Sequence, residues 1–245
     1  MISLAKSWAI TQRVLHELGR DPRARVVMIV TPGVLMVIVR RLFDSAAGFS
    51  PSGVIMVGVF PLFSMYLVGS TAIVRERAKG TLEAVLATPA SRADVVAGYL
   101  GAAVLASFGQ AVCTVTLGYL ASGLETASPF WLLGILAMFS GIFGMSLGLL
   151  VSAVCQNEGQ AFQFLPGVMI PQMLVSGIVW PVPRMAGWVQ NLEHMLPLSA
   201  VSRSMTAARL HLYGGTSLLV SITALLALTA AALTGAAATI RRRTA

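Results

Sequence analysis

Arg75-Glu76-Arg77-Ala78-Lys79-Gly80-Thr81-Leu82-Glu83-Ala84-Val85-Leu86-Ala87-Thr88-Pro89 is the densest run of charge in the chain, and it lies between two long apolar runs. Gly80 permits a reversal there, because a residue without Cβ accepts backbone angles that others avoid. Helix formers follow as far as Pro89, whose ring disfavours helical geometry at Thr88 and stops the segment. Leu82, Val85 and Leu86 share one short apolar stripe, with Glu83 off it. Ser91 and Asp94 then form an S-x-x-D capping pattern that opens the next apolar helix. The spacing therefore predicts a short amphipathic helix over Thr81–Thr88, lying at a membrane surface between two spans.

Composition sets the surroundings of that segment. Of 245 residues, 56% are hydrophobic and only 11% charged, which describes a polytopic membrane protein rather than one or two soluble domains. The net charge of +8 does not indicate nucleic-acid binding. The basic residues collect at the ends of apolar runs and form no aromatic-interleaved patch. Cys113 and Cys155 have no metal-like spacing around them and read as free thiols in apolar surroundings. No cleavable signal peptide is expected, since a polar, Arg-bearing leader precedes the first apolar run and no small-residue cleavage pattern closes it.

Residues 1–22 precede the spans. Leu4, Trp8, Thr11, Leu15 and Leu18 share one helical face and Lys6, Arg13, Glu17 and Arg20 the opposite one, as in a helix lying in the cytoplasmic interface. Six spans are then expected, at 26–43, 54–74, 95–120, 130–154, 162–179 and 217–240, with 75–94 as the cytoplasmic segment after the second. The first is short and interrupted by Pro32 and Gly33, so its flanking arginines must snorkel for it to cross. In the fourth, Ser140, Gly144, Gly148 and Ser152 recur every four residues, a stripe that permits close helix approach in lipid. The fifth carries Pro166 and Pro171, which predict a kink. Between the last two spans, Trp180-Pro181-x-Pro183 breaks the helix at the interface. Trp188, Leu192, Met195 and Leu196 then fall at helical spacing before Pro197 breaks it again.

Orientation follows from Lys and Arg. With the N-terminus inside, the inner segments hold Lys6, Arg13, Arg20, Arg23, Arg25, Arg75, Arg77, Lys79, Arg92 and Arg241–Arg243. The outer ones hold Arg40, Arg41, Arg184, Arg203 and Arg209. Both termini and the 75–94 segment are thus expected in the cytoplasm. The chain has no G-x-x-x-x-G-K-[ST] phosphate loop, no H-E-x-x-H and no G-x-S-x-G, and His16, His194 and His211 share no ligand spacing. No catalytic residue, bound cofactor or metal is expected. The spans are nearly free of ionisable groups, which argues against ion-coupled transport. Met56, Phe60, Phe63, Met65, Met169 and Met173 could adapt to varied apolar ligands, although packing alone accounts for such side chains.

The pattern Glu76-x-x-x-Gly80-Thr81-Leu82-Glu83-x-x-Leu86-x-Thr88-Pro89 resembles the cytoplasmic coupling segment of type-2 ABC exporter permeases, of the daunorubicin and multidrug-resistance kind. Arg20-Asp21-Pro22-Arg23 before a Pro-containing apolar run is similar to the entry to the first helix in that family. Residues 180–210 resemble its external re-entrant hairpin, with Trp180, Pro181, Trp188 and Pro197 in the motif. Ala186 and Leu196 stand where Pro and Asn are usual. The resemblance implies an all-α fold, a single transmembrane domain over 1–245, and a plasma-membrane permease subunit. It implies that Glu76, Lys79, Gly80, Thr81, Leu82, Glu83, Leu86, Thr88 and Pro89 engage two copies of an ATPase subunit, which carries the ATP and Mg. A second permease, identical or related, would complete the transporter. The cargo implied is hydrophobic or amphipathic: a drug, an antibiotic or a lipid-like molecule, less readily a polysaccharide. The residues alone leave open a membrane scaffold or immunity protein. A lipid-modifying membrane enzyme is disfavoured by the lack of intramembrane His, Asp or Ser constellations. The Ala-, Gly- and Arg-rich composition fits a bacterial source.

Overall fold

A stripe of small residues on one helix, laid against the backbone of another, sets the centre of the architecture. The computed structural model describes residues 3–81, 91–178, 180, 182–212 and 216–239. Leu82, Glu83, Leu86, Thr88, Pro89, Pro181 and Arg241–Arg243 lie outside the described residues. All regular structure among the described residues is helical.

Helix α1 spans Leu4–Arg20. The chain turns at Asp21, whose carboxylate accepts the Arg23 and Ala24 amides and so caps α2, Pro22–Arg25. A π-helical turn over Val26–Val30 joins α2 to α3, Thr31–Arg40. Pro32 has no N–H to give to the preceding turn, and the widened turn absorbs the defect. The Thr31 hydroxyl and amide both donate to the Val26 carbonyl. Taken together, Pro22–Arg40 is a 19-residue apolar rod, long enough at ~1.5 Å per residue to approach the thickness of a bilayer core. It begins four residues before the predicted first span.

Helix α4, Ala46–Ala78, has 33 residues and at about 50 Å outreaches the ~30 Å hydrocarbon layer. Helix α5 spans Arg92–Leu120, opened by the Ser91–Asp94 capping box. Helix α6 spans Phe130–Val154 and α7 Glu158–Val175, the latter capped by Asn157 and containing Pro166 and Pro171. A 3-10 turn over Val182–Arg184 leads to α8, Gly187–Glu193, and α9, Pro197–Arg209. The last helix, α10, spans Thr216–Thr239.

Among the described residues, five helical stretches are long and apolar enough to cross a membrane: Pro22–Arg40, α4, Ala93–Leu120 of α5, α6 and Leu218–Thr239 of α10. The remaining expected span, the fifth at 162–179, coincides with α7, which does not qualify. It starts at the Asn157 cap and so takes in Glu158 and Gln160, with Gln163 and Gln172 further along.

The pairing of α4 with α6 forms the centre. Ser140, Gly144, Gly148 and Ser152 are all buried and follow α4 along its length. The Ser140 hydroxyl donates to the Gly58 carbonyl at 2.6 Å, and the Ser152 hydroxyl accepts the Val74 amide at 3.0 Å. Between them, a Cβ on Gly144 or Gly148 would run into the backbone of Leu62 or of Tyr66 and Gly69. Helix backbones can approach this closely only where side chains are small, and dispersion between them replaces the hydrophobic drive that lipid removes. Helix α9 packs on the same axis, with Val201 and Met205 seated on Gly58.

One face of α1 packs on the protein and another stays exposed. Ser7, Ile10, Thr11 and Val14 are buried, whereas Leu4 and Trp8 are exposed. Ile10 and Thr11 sit on Gly98 and Gly101 of α5, and the Thr11 hydroxyl donates to the Gly98 carbonyl at 3.0 Å. Leu4 and Trp8 are thus free to face lipid, one face away from the packing stripe.

Gly148→Ala places a methyl 2.7 Å from the Ser70 amide nitrogen as well as against Tyr66. It should cost about 2 kcal/mol through forced separation of the two helices. Gly134→Ala in the same helix meets nothing within 4 Å and should be neutral or gain ~0.5–1 kcal/mol of helix propensity. Thermal unfolding of the two variants in one detergent separates these outcomes.

Candidate functional site

The last turn of α4 carries Arg75, Glu76, Arg77 and Lys79, and each is tied to a different neighbour. Lys79 donates to the Glu17 carboxylate of α1 at 2.6 Å. Arg75 reaches both Asp21, at the head of α2, and Glu158, at the head of α7, with Nε 3.0 Å from Glu158 Oε1. Arg77 donates to the Ala153 and Cys155 carbonyls, each at 3.1 Å. Those carbonyls close α6, where helical oxygens lack intrahelical donors and a cation is favoured by the helix dipole.

Glu76 holds the middle of this turn and is 3% exposed. Its Oε1 accepts from Arg13 of α1 and from the Tyr99 hydroxyl of α5, the latter at 2.6 Å. A carboxylate taken out of water is tolerated only when a cation and hydrogen bonds compensate it. Glu76 Oε2 has no hydrogen-bond partner among the described residues. The Thr81 hydroxyl donates to the Glu76 carbonyl at 3.2 Å, and Gly80 has φ of +68°. That left-handed backbone ends α4 and starts the segment the sequence singled out.

Asp21 is the hinge of the arrangement. Burial works against its charged form, but the amides of Arg23 and Ala24 and the guanidinium of Arg75 outweigh it and hold the carboxyl below the usual carboxylate range. Its contribution is therefore present at neutral pH and is lost as the pH falls through that depressed range.

These ties enclose a cavity of about 540 Å³ between α1, α2, α4 and the start of α7. Charged residues crowd one part of its wall, while Val27, Leu67, Val68 and Phe162 are among the apolar residues of the rest. No cluster of metal-ligating side chains occurs among the described residues.

At the other end of the molecule, Trp180 and Trp188 are exposed, as aromatic side chains are in an interfacial belt. Pro197 opens α9, where a missing N–H costs nothing. Glu193, 2% exposed, accepts from Arg203 at 2.7 Å and ties α8 to α9.

Glu76, Lys79, Gly80 and Thr81 from the sequence motif are together in this turn. The sequence reading missed the partners Arg13, Asp21, Tyr99 and Glu158, and the pair Glu193–Arg203 at the opposite end. The signal for the first set was present: acids beside basic clusters at the same ends of different apolar runs. Nothing in the spacing says which acid meets which base.

Arg13→Ala would leave a buried carboxylate with only a tyrosine, and should cost about 2 kcal/mol, less than a fully buried pair because Arg13 is 36% exposed. Tyr99→Phe removes one charge-assisted hydrogen bond and should cost roughly 1.5 kcal/mol. In the Arg13→Ala, Glu76→Gln double variant the loss should fall well short of the sum, measured by chemical or thermal unfolding in detergent.

The family model described as "ABC-2 type transporter" matches residues 6–210. The "Probable multidrug ABC transporter permease YbhR" of Escherichia coli K12 is 29% identical over 143 residues, 58% of this chain and 39% of that protein. "Nodulation protein J" of Rhizobium meliloti is 33% identical over 129 residues, 51% of this chain and 47% of that protein. "ABC transporter G family member 20" of Dictyostelium discoideum is 24% identical over 138 residues, 56% of this chain and 19% of that protein. The matched stretches thus cover less than half the length of each of these relatives. The family match takes in most of α1, the charged end of α4 and the α8–α9 region alike, and this multi-pass helical chain belongs to the ABC-2 type transporter family.

Proposed function

We propose that the chain is the membrane permease subunit of an ATP-driven exporter, moving a hydrophobic or amphipathic cargo out of the cytoplasm or the inner leaflet. Two copies of a separate ATPase supply the energy, and a second permease, identical or related, completes the transport path. In this reading α7 also crosses, as the fifth of six spans, paired with the partner permease rather than with lipid, and both termini are cytoplasmic. Residues 180–210 form an external gate.

One observation carries the reading: the turn of α4 that leads into the Thr81–Pro89 segment is bonded to α1, α2, α5, α6 and α7 together. A push on that segment reaches five helices through short ionic and hydrogen-bonded contacts, without relying on loose side-chain packing. Family membership and the multidrug permease among the relatives support export of an apolar cargo. The spans offer a neutral passage, since the described ionisable groups gather at helix ends.

The ATPase contact falls to Glu83 and its neighbours in this account, because Glu76 is occupied inside the protein. Glu83→Lys should leave the permease folded and reduce drug-stimulated ATP hydrolysis and export in proteoliposomes by roughly tenfold or more, a change worth ~1.4 kcal/mol in coupling. Co-purification of the chain with a phosphate-loop ATPase is the companion measurement. A Glu83→Lys protein with unchanged export and stimulated hydrolysis contradicts the coupling role.

A further inference from the structure

The cavity beside the α4 turn has an unbalanced wall. Its carboxylates are Glu17, Asp21, Glu76 and Glu158, and every one is held by Lys79, Arg75 or Arg13. Arg20 and Arg23 also line it, and neither has a carboxylate partner among the described residues. The charge left over is positive.

The apolar part of the wall lies deeper. Leu67 and Val68 stand about two turns inward from Arg75 along α4, roughly 10 Å towards the membrane core. Val27 and Phe162 line the same cavity. Helix α1, which supplies Arg20, exposes Leu4 and Trp8 as an interfacial helix does. A molecule with an anionic head at Arg20 and Arg23 and an aliphatic tail along Leu67, Val68 and Phe162 would therefore stand in the orientation of an inner-leaflet lipid. A guanidinium pair suits a phosphate head in particular, because the planar fork bonds two oxygens at once. A cationic amphiphile fits less well, since no carboxylate on the wall lacks a cation.

We infer that this cavity is a binding site for an amphipathic phosphate, with the head on Arg20 and Arg23 and the chain against the α4–α7 wall. The inference does not depend on what the chain exports, so a failed export assay leaves it standing.

The test uses the full-length protein. Native mass spectrometry counts bound phosphatidylglycerol against phosphatidylcholine after exchange from mixed-lipid nanodiscs. A detergent-phase titration compares dodecyl phosphate with dodecylphosphocholine. Wild type should prefer the net-anionic member of each pair by at least tenfold, and dodecyl phosphate should displace phosphatidylglycerol. Arg20→Gln with Arg23→Gln should abolish the preference, and Leu67→Trp should weaken binding through the tail while leaving both arginines in place. Arg25→Gln is the control, since Arg25 is exposed nearby but does not line the cavity; binding should stay within twofold. Dodecyl phosphate binding without phosphatidylglycerol preference supports the site and assigns it to a freely diffusing amphiphile rather than a resident lipid. The proposal is overturned if wild type shows no anionic preference in either arm. It is also overturned if the double arginine variant, shown folded by its melting temperature, binds as wild type does. An equal effect of Arg25→Gln overturns it too, because binding would then be diffuse surface attraction. Selective retention of a cationic amphiphile would overturn it as well.

Discussion

A carboxylate buried at the charged C-terminal end of α4 is the constraint on which the rest of this structure turns. Glu76 cannot be left there alone, because a desolvated charge without compensation is worth several kcal/mol of instability. It obliges Arg13 to come from α1 and Tyr99 from α5. Once α1 is drawn in for that reason, Glu17 meets Lys79 and Asp21 meets Arg75. A surface ion pair of that kind contributes little by itself. Several sharing one turn, around one buried acid, define a position.

The other half of the design is the bare contact between α4 and α6. Ser140, Gly144, Gly148 and Ser152 bring two backbones together along four turns, so that α4 has a rigid partner through the membrane. The ionic junction at one end then has something stiff to act on. A flexible α4 would dissipate in side-chain motion whatever displacement the junction received. The two features serve the same purpose at different depths, one by charge where water is near and the other by close packing where it is absent.

Much of this was legible in the sequence, and the limits have physical causes. The long apolar runs gave α4, α5, α6 and α10, and the four-residue recurrence of small residues gave the α6 stripe, because both signals are local. The wheel separated an apolar face of α1 from a charged one but did not show which residues pack on α5: Ile10 and Thr11 do so because Gly98 and Gly101 leave room for them, and the Thr11 hydroxyl bonds to a carbonyl there. Helix α9 was read only as part of an outer hairpin. Its buried Ser199, Ser202 and Ser204 lower its apparent hydrophobicity, although it is packed on Gly58. The pairing of Glu76 with Arg13, 63 residues away, is beyond any local pattern. The span at α7 was placed by its apolar core, but the Asn157 cap extends the helix into glutamate and glutamines.

The central claim is that α1 and the C-terminal end of α4 move as one body when the Thr81–Pro89 segment is displaced. The most direct measurement is the distance between spin labels at Gln12 and Ala78, both exposed, in the assembled transporter with Cys113 and Cys155 replaced. The account predicts the same narrow distance distribution in the nucleotide-free and ATP-trapped states. A distribution that lengthens or splits when ATP is trapped would contradict it.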